Sequence, residues 1–496
     1  MRFDNTPPEI KEIALLSSNP GENKDDYPQL DNKHTRLLKD NDTLTLVFKT
    51  SEQIRDKPDV TFYTDYDNFT VSGIEEIPGT AWNTETTWKA ELDINKDHTK
   101  ALSTHEGFIG FKITIYDLAG NERVVEFQDK GESLVQTLPV GAEIPTNPTG
   151  YRARFDLKDP EVKNITLDSS NLGENLDYPD SRLIRDGDTL TLSFETTERI
   201  STKDDLEGSR KPSVSFYYGE KELEVSDQNI NLQTSDDNGT LWQAELLIDG
   251  NSDILKNNEG YLGNEGYLGF KVAVFDKAGN RGVIEFSDNG TALVQTRFVN
   301  PQRPTDNPSG KRARFDTKLP EIQHFAFDST NPAFNHVDFG DSYLAKDGDN
   351  ITLSFQTSER IDNDSIFPEV IFLNGNEQEN AEQSSIIHTD NGTNWTATLD
   401  ASKLPANKEN FLGFRIIVYD EAGNKRTLEF VDDNTSLTQL SPPLDDYPTK
   451  NPSGYRMRYD QKAPEIKSIA WLSSNQGLND EDFGKSRLVR NGDNLT

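Results

Sequence analysis

The sequence contains no cysteine, which excludes disulfides and thiolate metal sites. Histidine is scarce, with six residues that share no common position in the internal repeats, which argues against a repeated imidazole ligand or base. No apolar run approaches the ~20 residues needed to span a bilayer, and the chain does not open on a signal-peptide pattern. Basic residues are few beside acidic ones, 51 against 86, for a net charge of −35. That balance repels nucleic acid and anionic membranes and leaves cations as natural partners, although solubility alone would account for it. What is present is length. At 496 residues the chain exceeds one core, and roughly 150 residues per domain suggests about three.

Internal repetition supports the same count. The string "RFD" or "RYD", then "PE", places Asp4 before Pro8, Asp156 before Pro160, Asp316 before Pro320 and Asp460 before Pro464. A second landmark, "KDNDTLTLVFKTSE" ending at Glu52, returns as "RDGDTLTLSFETTE" ending at Glu198 and "KDGDNITLSFQTSE" ending at Glu359. A fourth copy begins "RNGDNLT" and reaches Thr496. Pro/Gly clusters at 147–150, 307–310 and 451–454 have linker composition. The expected division is therefore repeat one over 1–146, repeat two over 151–306, repeat three over 311–450 and the start of a fourth over 455–496. The four copies look like an excerpt from a longer array.

Each repeat is expected to be all-β. In "TLTLVFKT" Leu44, Leu46 and Phe48 alternate with Thr45, Val47 and Lys49, the period of a half-buried strand. The segments from Glu9, Val60, Thr86, Phe111 and Arg123 alternate likewise, and a weaker strand lies near Phe69. About seven strands with intervening turn signals fit a Greek-key β-sandwich of immunoglobulin type, repeated in tandem as an elongated array. Trp88, Trp242 and Trp395 occupy equivalent positions. A sugar-binding platform is one reading, but alternating strands favour core anchors.

The most specific motif is Asp-x-Ala-Gly-Asn after an alternating strand: "FKITIYDLAGN", "FKVAVFDKAGN" and "FRIIVYDEAGN". Asp117 shares the inward parity of Phe111, Ile113 and Ile115, and Glu52 that of Phe48. In an immunoglobulin-type sandwich those two strands leave opposite sheets at one pole, where the chain also enters. Three acidic groups should converge there in each repeat: Asp4, Glu52 and Asp117; Asp156, Glu198 and Asp276; Asp316, Glu359 and Asp420. Converging carboxylates raise one another's pKa unless a cation lies between them. An oxygen-only set favours calcium, with Asn121, Asn280 and Asn424 or backbone carbonyls completing it. The alternative is an Asx turn for each Asp and an ion pair for each Glu, with Arg154, Arg314, Arg199 or Arg360 diluting the charge. No EF-hand spacing is present. A second acidic set, Asp40 and Asp42, Asp186 and Asp188, Asp347 and Asp349, belongs at the opposite pole, where turn chemistry is the expected role. Sequons at Asn68, Asn238, Asn391 and Asn394 are expected by chance in such a composition.

Taken together, "GDTLTLSFETTE", a Trp-containing strand and "F.V.D.AGN" resemble the tandem bacterial Ig-like domains of large surface adhesins and secreted repeat proteins. The resemblance implies an extracellular or cell-surface rod that holds a binding tip away from a cell, stiffened by calcium at its joints. The partners it implies are the neighbouring repeats and host or surface glycans and proteins, with no membrane insertion in this segment. The alternative is an accessory spacer or carbohydrate-binding region of a secreted polysaccharide-degrading enzyme. No Ser-His-Asp, Cys-His or zinc constellation is present, and no catalysis is expected.

Overall fold

A computed structural model of the chain describes residues 3–19, 35–64, 68–71, 73–78, 86–94, 106–131, 133–139, 145, 152–171, 180–198, 200, 211–219, 221–233, 240–249, 265–307, 310–335, 341–361, 367–389, 392–405, 409–442, 449–479 and 486–496. The expected linker at 147–150 and the sequons at Asn238 and Asn391 lie outside them, as does Arg199. The chain divides into two compact units, Met1–Lys318 and Leu319–Thr496. The first holds repeats one and two, each around its own core, and the second holds the core of repeat three.

In repeat one the alternating segments pair as expected. Ile10–Ser17, Thr43–Thr50, Thr87–Asp93 and Gly73–Ile77 lie side by side in one antiparallel sheet. Leu134–Leu138, Glu122–Asp129, Gly110–Tyr116, Asp59–Tyr63 and Asn68–Thr70 form the other. The weak strand expected near Phe69 is two short strands, Asn68–Thr70 and Gly73–Ile77, one in each sheet. Leu44, Leu46, Phe48, Phe111, Ile113 and Ile115 are all at most 1 % exposed, as period-2 burial between facing sheets demands. This is the tandem Ig-like sandwich architecture, repeated with matching registers in repeats two and three. Trp88, Trp242 and Trp395 each sit directly across from a buried phenylalanine: Phe48, Phe194 and Phe355. At 6, 1 and 1 % exposed, the three are core anchors.

The repeats end later than their composition suggests. Arg152–Phe155 runs parallel to Thr35–Leu38 and antiparallel to Gly107–Phe108, closing a small third sheet of repeat one. Ala153, Phe155 and Leu157 belong to the core of that repeat. Arg312–Asp316 likewise pairs with Ser181–Ile184 and with Glu265–Phe275 in repeat two. Arg456–Tyr459 pairs with Ser342–Ala345 and Asn410–Phe411 in repeat three. The Pro/Gly segment at 451–454 is therefore a turn inside a repeat, and Gly310, whose N–H donates to the Asn307 carbonyl at 3.1 Å, leads straight into the closing strand of repeat two. Before each turn the chain is tied to the repeat's own first strand: Thr305 Oγ1 donates to the Val162 carbonyl at 2.7 Å and Thr449 Oγ1 to that of Ile322 at 2.9 Å. The division expected at 151, 311 and 455 thus moves downstream, to just beyond Asp156, Asp316 and Tyr459.

Each of these closing strands is locked by a bidentate arginine–aspartate pair. Arg152 donates from Nε and Nη2 to both oxygens of Asp129, 2.6 Å each, and its guanidinium lies 4.1 Å from the Phe108 ring centroid. Arg312 repeats this with Asp288 and Tyr267, and Arg456 with Asp432 and Phe411. The aspartate side chains are fully buried, and bidentate pairing with the aromatic face offsets the cost of burying the charge.

In the fourth copy the residues equivalent to the buried Ile10, Ile13 and Leu15 are Ile466, Ile469 and Trp471. They are 81, 78 and 71 % exposed.

Candidate metal centre

The turn Asp276–Asn280 shows why the motif has its composition. Strand Glu265–Phe275 delivers Asp276 inward, and the next strand starts at Arg281. Asp276 Oδ1 accepts the Asn280 backbone N–H at 2.8 Å and Oδ2 accepts Asn280 Nδ2 at 2.7 Å. Gly279, at φ +87°, occupies the left-handed region that closes the turn. Asp117 with Asn121 and Asp420 with Asn424 form the same pair of bonds. The Asx-turn role is thus real in all three repeats.

In repeat two that turn also carries a cluster. Asp156, Glu198 and Asp276 each offer a carboxylate oxygen, and the three oxygens lie within 4.8 Å of one another. They come from the three elements expected at one pole. Asp156 ends the closing strand of repeat one, its N–H bonded to the Leu38 carbonyl at 2.8 Å. Glu198 follows strand Thr189–Thr196, and Asp276 follows strand Glu265–Phe275. Asp156 and Asp276 are 4 and 2 % exposed, and Glu198 is half-buried. The cluster therefore lies on the joint between repeats one and two.

Electrostatics follow from this geometry. Burial, then repulsion from Asp156, pushes the Asp276 carboxyl up to about 7, against the hydrogen bonds from Asn280 and Gly279. Burial, then repulsion from Asp276, Asp156 and Glu106, pushes Glu198 up to about 8. Asp156 is raised by burial and by Glu106, with Arg154 and Lys158 opposing. Arg154, the guanidinium offered as a partner for the glutamate, lies 3.3 Å from Asp156 and also pairs with Glu106.

Asn280 stands one step back from the carboxylates. Its Nδ2 donates to Asp276 Oδ2 and, at 2.9 Å, to the Asp156 carbonyl. Two acceptors at one atom require nitrogen there, so that end of the amide orients the aspartate and ties the joint.

Repeat one does not close in the same way. Asn121 Nδ2 reaches the Asp4 carbonyl at 3.2 Å, but Asp4, Glu52 and Asp117 do not converge as the second trio does. Phe3, the counterpart of Phe155, is 88 % exposed against 1 %. Asp4 Oδ1 instead accepts the Thr6 N–H at 3.1 Å. Burial raises the Asp117 carboxyl, but the hydrogen bonds from Asn121, Gly120 and Ala119 outweigh it and leave the net pKa lowered. In the third set, Asp316 ends its closing strand buried beside Arg314, 3.2 Å away, and is raised by burial. Glu359 follows strand Asn350–Thr357 in the second unit, and Asp420 caps the turn to Asn424, 1 % exposed.

At the opposite pole Asp42, Asp188 and Asp349 cap turns. Their Oδ2 atoms accept the backbone N–H groups of Lys39, Arg185 and Lys346 at 2.6, 2.8 and 2.8 Å. Each also accepts an asparagine amide, from Asn19, Asn171 and Asn331. Sequence reasoning missed these asparagines, although "SSN" or "STN" stands at the same place in every copy.

The family model described as a bacterial Ig-like domain matches residues 370–434, a little under half of repeat three. No curated protein matches the chain. Among solved structures, the chain is similar to a DUF4785 family protein from Legionella pneumophila subsp. pneumophila str. Philadelphia 1. Identity is 9 % over 86 % of this chain and 88 % of that one, with a TM-score of 0.16. A marsupial T cell receptor shows 10 % identity over 84 % of this chain and 98 % of its own, with a TM-score of 0.14. Scores this low carry no argument about function.

Proposed function

We propose that this chain, an array of Ig-like repeats whose third copy matches the bacterial Ig-like domain family, is a non-enzymatic stalk segment of an extracellular adhesin, its joints stiffened by calcium. Bacterial Ig-like domains point to a surface or extracellular repeat region. Among the described residues, no helix is long and apolar enough to cross a membrane. The observation that carries the finer reading is the convergence of Asp156, Glu198 and Asp276 at the joint between two repeats.

The donor set fits a hard cation. All three groups are carboxylates, and calcium takes six to eight oxygens in loose geometry. Bound there, calcium would neutralise the repulsion that now raises Glu198 and Asp276. Asp156 belongs to the closing strand of repeat one and the other two to repeat two, so the three ligands would tie the repeats across their seam. Asn280 would keep Asp276 aimed inward. The burial of Trp88, Trp242 and Trp395 removes the aromatic platform on which a carbohydrate-binding role was weighed.

The test is a calcium titration by calorimetry with thermal melts in EGTA and in millimolar calcium. Saturation at ~100 times the dissociation constant stabilises by about 2.7 kcal/mol per site. A higher melting temperature, lost in Glu198→Ala, is expected. No heat of binding and no shift would leave the cluster a set of turn caps.

A further inference from the structure

We propose that the downstream pole of repeat one is a docking site for the Ala-Gly turn of repeat two, and that Asn19 latches this joint without any cation. The Asn19 amide is 4 % exposed. Its Nδ2 donates at 2.7 Å to Asp42 Oδ2 and at 2.8 Å to the Ala278 carbonyl. The first bond lies within repeat one; the second crosses the seam. Both partners are oxygens, so the amide nitrogen is fixed toward them, and Asp42, held in turn by the Lys39 N–H at 2.6 Å, presets the side chain before the second repeat arrives.

The turn is shaped for that approach. A Cβ on Gly279 would lie 3.4 Å from Lys39 Cε, so the lysine stem passes at contact distance of the glycine, which itself stays exposed. Ala278 is 2 % exposed. In repeat one the same turn, with the same internal hydrogen bonds, has Ala119 and Gly120 exposed and Leu118 68 % exposed. Gly279 is exposed like Gly120, so the difference lies at the alanine, and what buries Ala278 is the neighbouring pole rather than the turn's own fold.

The asparagine–aspartate pair is intrinsic to the pole. It recurs as Asn171 with Asp188 at 2.8 Å, Asn331 with Asp349 at 2.7 Å and Asn475 with Asp493 at 3.0 Å. An amide already paired within its own repeat, with its nitrogen presented outward, is a preformed donor for a backbone carbonyl. A backbone carbonyl is also independent of side-chain identity, so the residue before alanine in the motif is free to vary, as Leu118, Lys277 and Glu421 do.

This latch goes beyond the calcium reading, and its failure is separable from it. The absence of cysteine allows clean spin labelling of the full chain at Glu12→Cys and Glu245→Cys, exposed sites on repeats one and two. Electron–electron distance measurements would be made in EGTA. A narrow distribution is expected, broadened by Asn19→Ala and unchanged by Asn171→Ala, which removes the same intra-repeat bond away from this joint. Melting curves of both variants report whether each repeat stays folded. An Asn19→Ala distribution as narrow as the parent's overturns the latch, as does a parent distribution already broad in EGTA. Added calcium then reports on the carboxylate cluster alone, since Asp156, Glu198 and Asp276 are untouched in every variant.

Discussion

Replacing Glu198 by glutamine should stabilise the cation-free protein while abolishing its response to calcium. The Glu198 carboxyl rises from the usual 4.5 to about 8, through burial and then repulsion from Asp276, Asp156 and Glu106. A carboxyl raised on folding binds its proton more tightly in the native state, so its contribution is fully present below pH 4.5 and is lost as the pH climbs toward 8. At ~1.4 kcal/mol per pH unit, the loss reaches about 3 kcal/mol at pH 7. This is a ceiling, because water reaches part of the side chain and Asp276 shares the same repulsion. The backbone carbonyl of Glu198, not its carboxylate, takes the Thr196 hydroxyl at 2.6 Å, so glutamine keeps that bond. At 2–4 °C per kcal/mol for a repeat of this size, Glu198→Gln in EGTA should melt several degrees above the parent at pH 7–8 and level with it near pH 4. In calcium the order reverses, because the parent gains a ligand and the variant does not. Melts at four pH values, with and without calcium, decide it. A variant in EGTA at pH 8 no more stable than the parent would refute the repulsion argument.

Asp288→Ala should cost about 3 kcal/mol in a denaturant melt, because it removes the bidentate partner of Arg312 in a buried site beneath the Tyr267 ring and leaves the longer 3.5 Å pair with the exposed Asp180. Gly282→Ala would place a methyl 1.9 Å from the Pro160 carbonyl oxygen. Backbone must move to admit it, at roughly 1–3 kcal/mol, whereas the equivalent Arg123 and Arg426 donate to Pro8 and Pro320; chemical denaturation of repeat two measures the difference. A fragment of residues 157–318 should fold, and one of 157–310 should not. The shorter piece lacks Ala313 and Phe315, both at most 1 % exposed, and loses the partner of Asp288, together comparable to the 5–15 kcal/mol that holds a domain together. Circular dichroism melts of the two fragments test this, and a cooperative transition in the shorter one would return the seam to the Pro/Gly turn.

Alternation made the two main sheets legible, because Leu44, Leu46 and Phe48 obey period 2 and nothing competes with it. The closing strands obey a different rule. In "RARF" every residue from Arg152 to Phe155 is buried, and two of the four are arginines, so the segment reads as a polar joint after a Pro/Gly turn. Its burial is possible only because Asp129 meets Arg152 from a distant strand end. The signal was present in another form: an aspartate ends the strand at 129, 288 and 432, and an arginine recurs at 152, 312 and 456. Pairing them would have moved the seam. The seam also bears on the carboxylate trio, whose first member the sequence assigns to the segment entering its own repeat. Parity placed Glu198 and Asp276 at one pole, but what carries Asp156 to them is the closing strand of the preceding repeat, anchored through Leu38 and Phe155. Asp4, Glu52 and Asp117, the identical three residue types, do not converge in this way, and Phe3 beside Asp4 is exposed. The cluster is therefore a property of two repeats joined in series, and the motif within a single repeat supplies two of its three ligands.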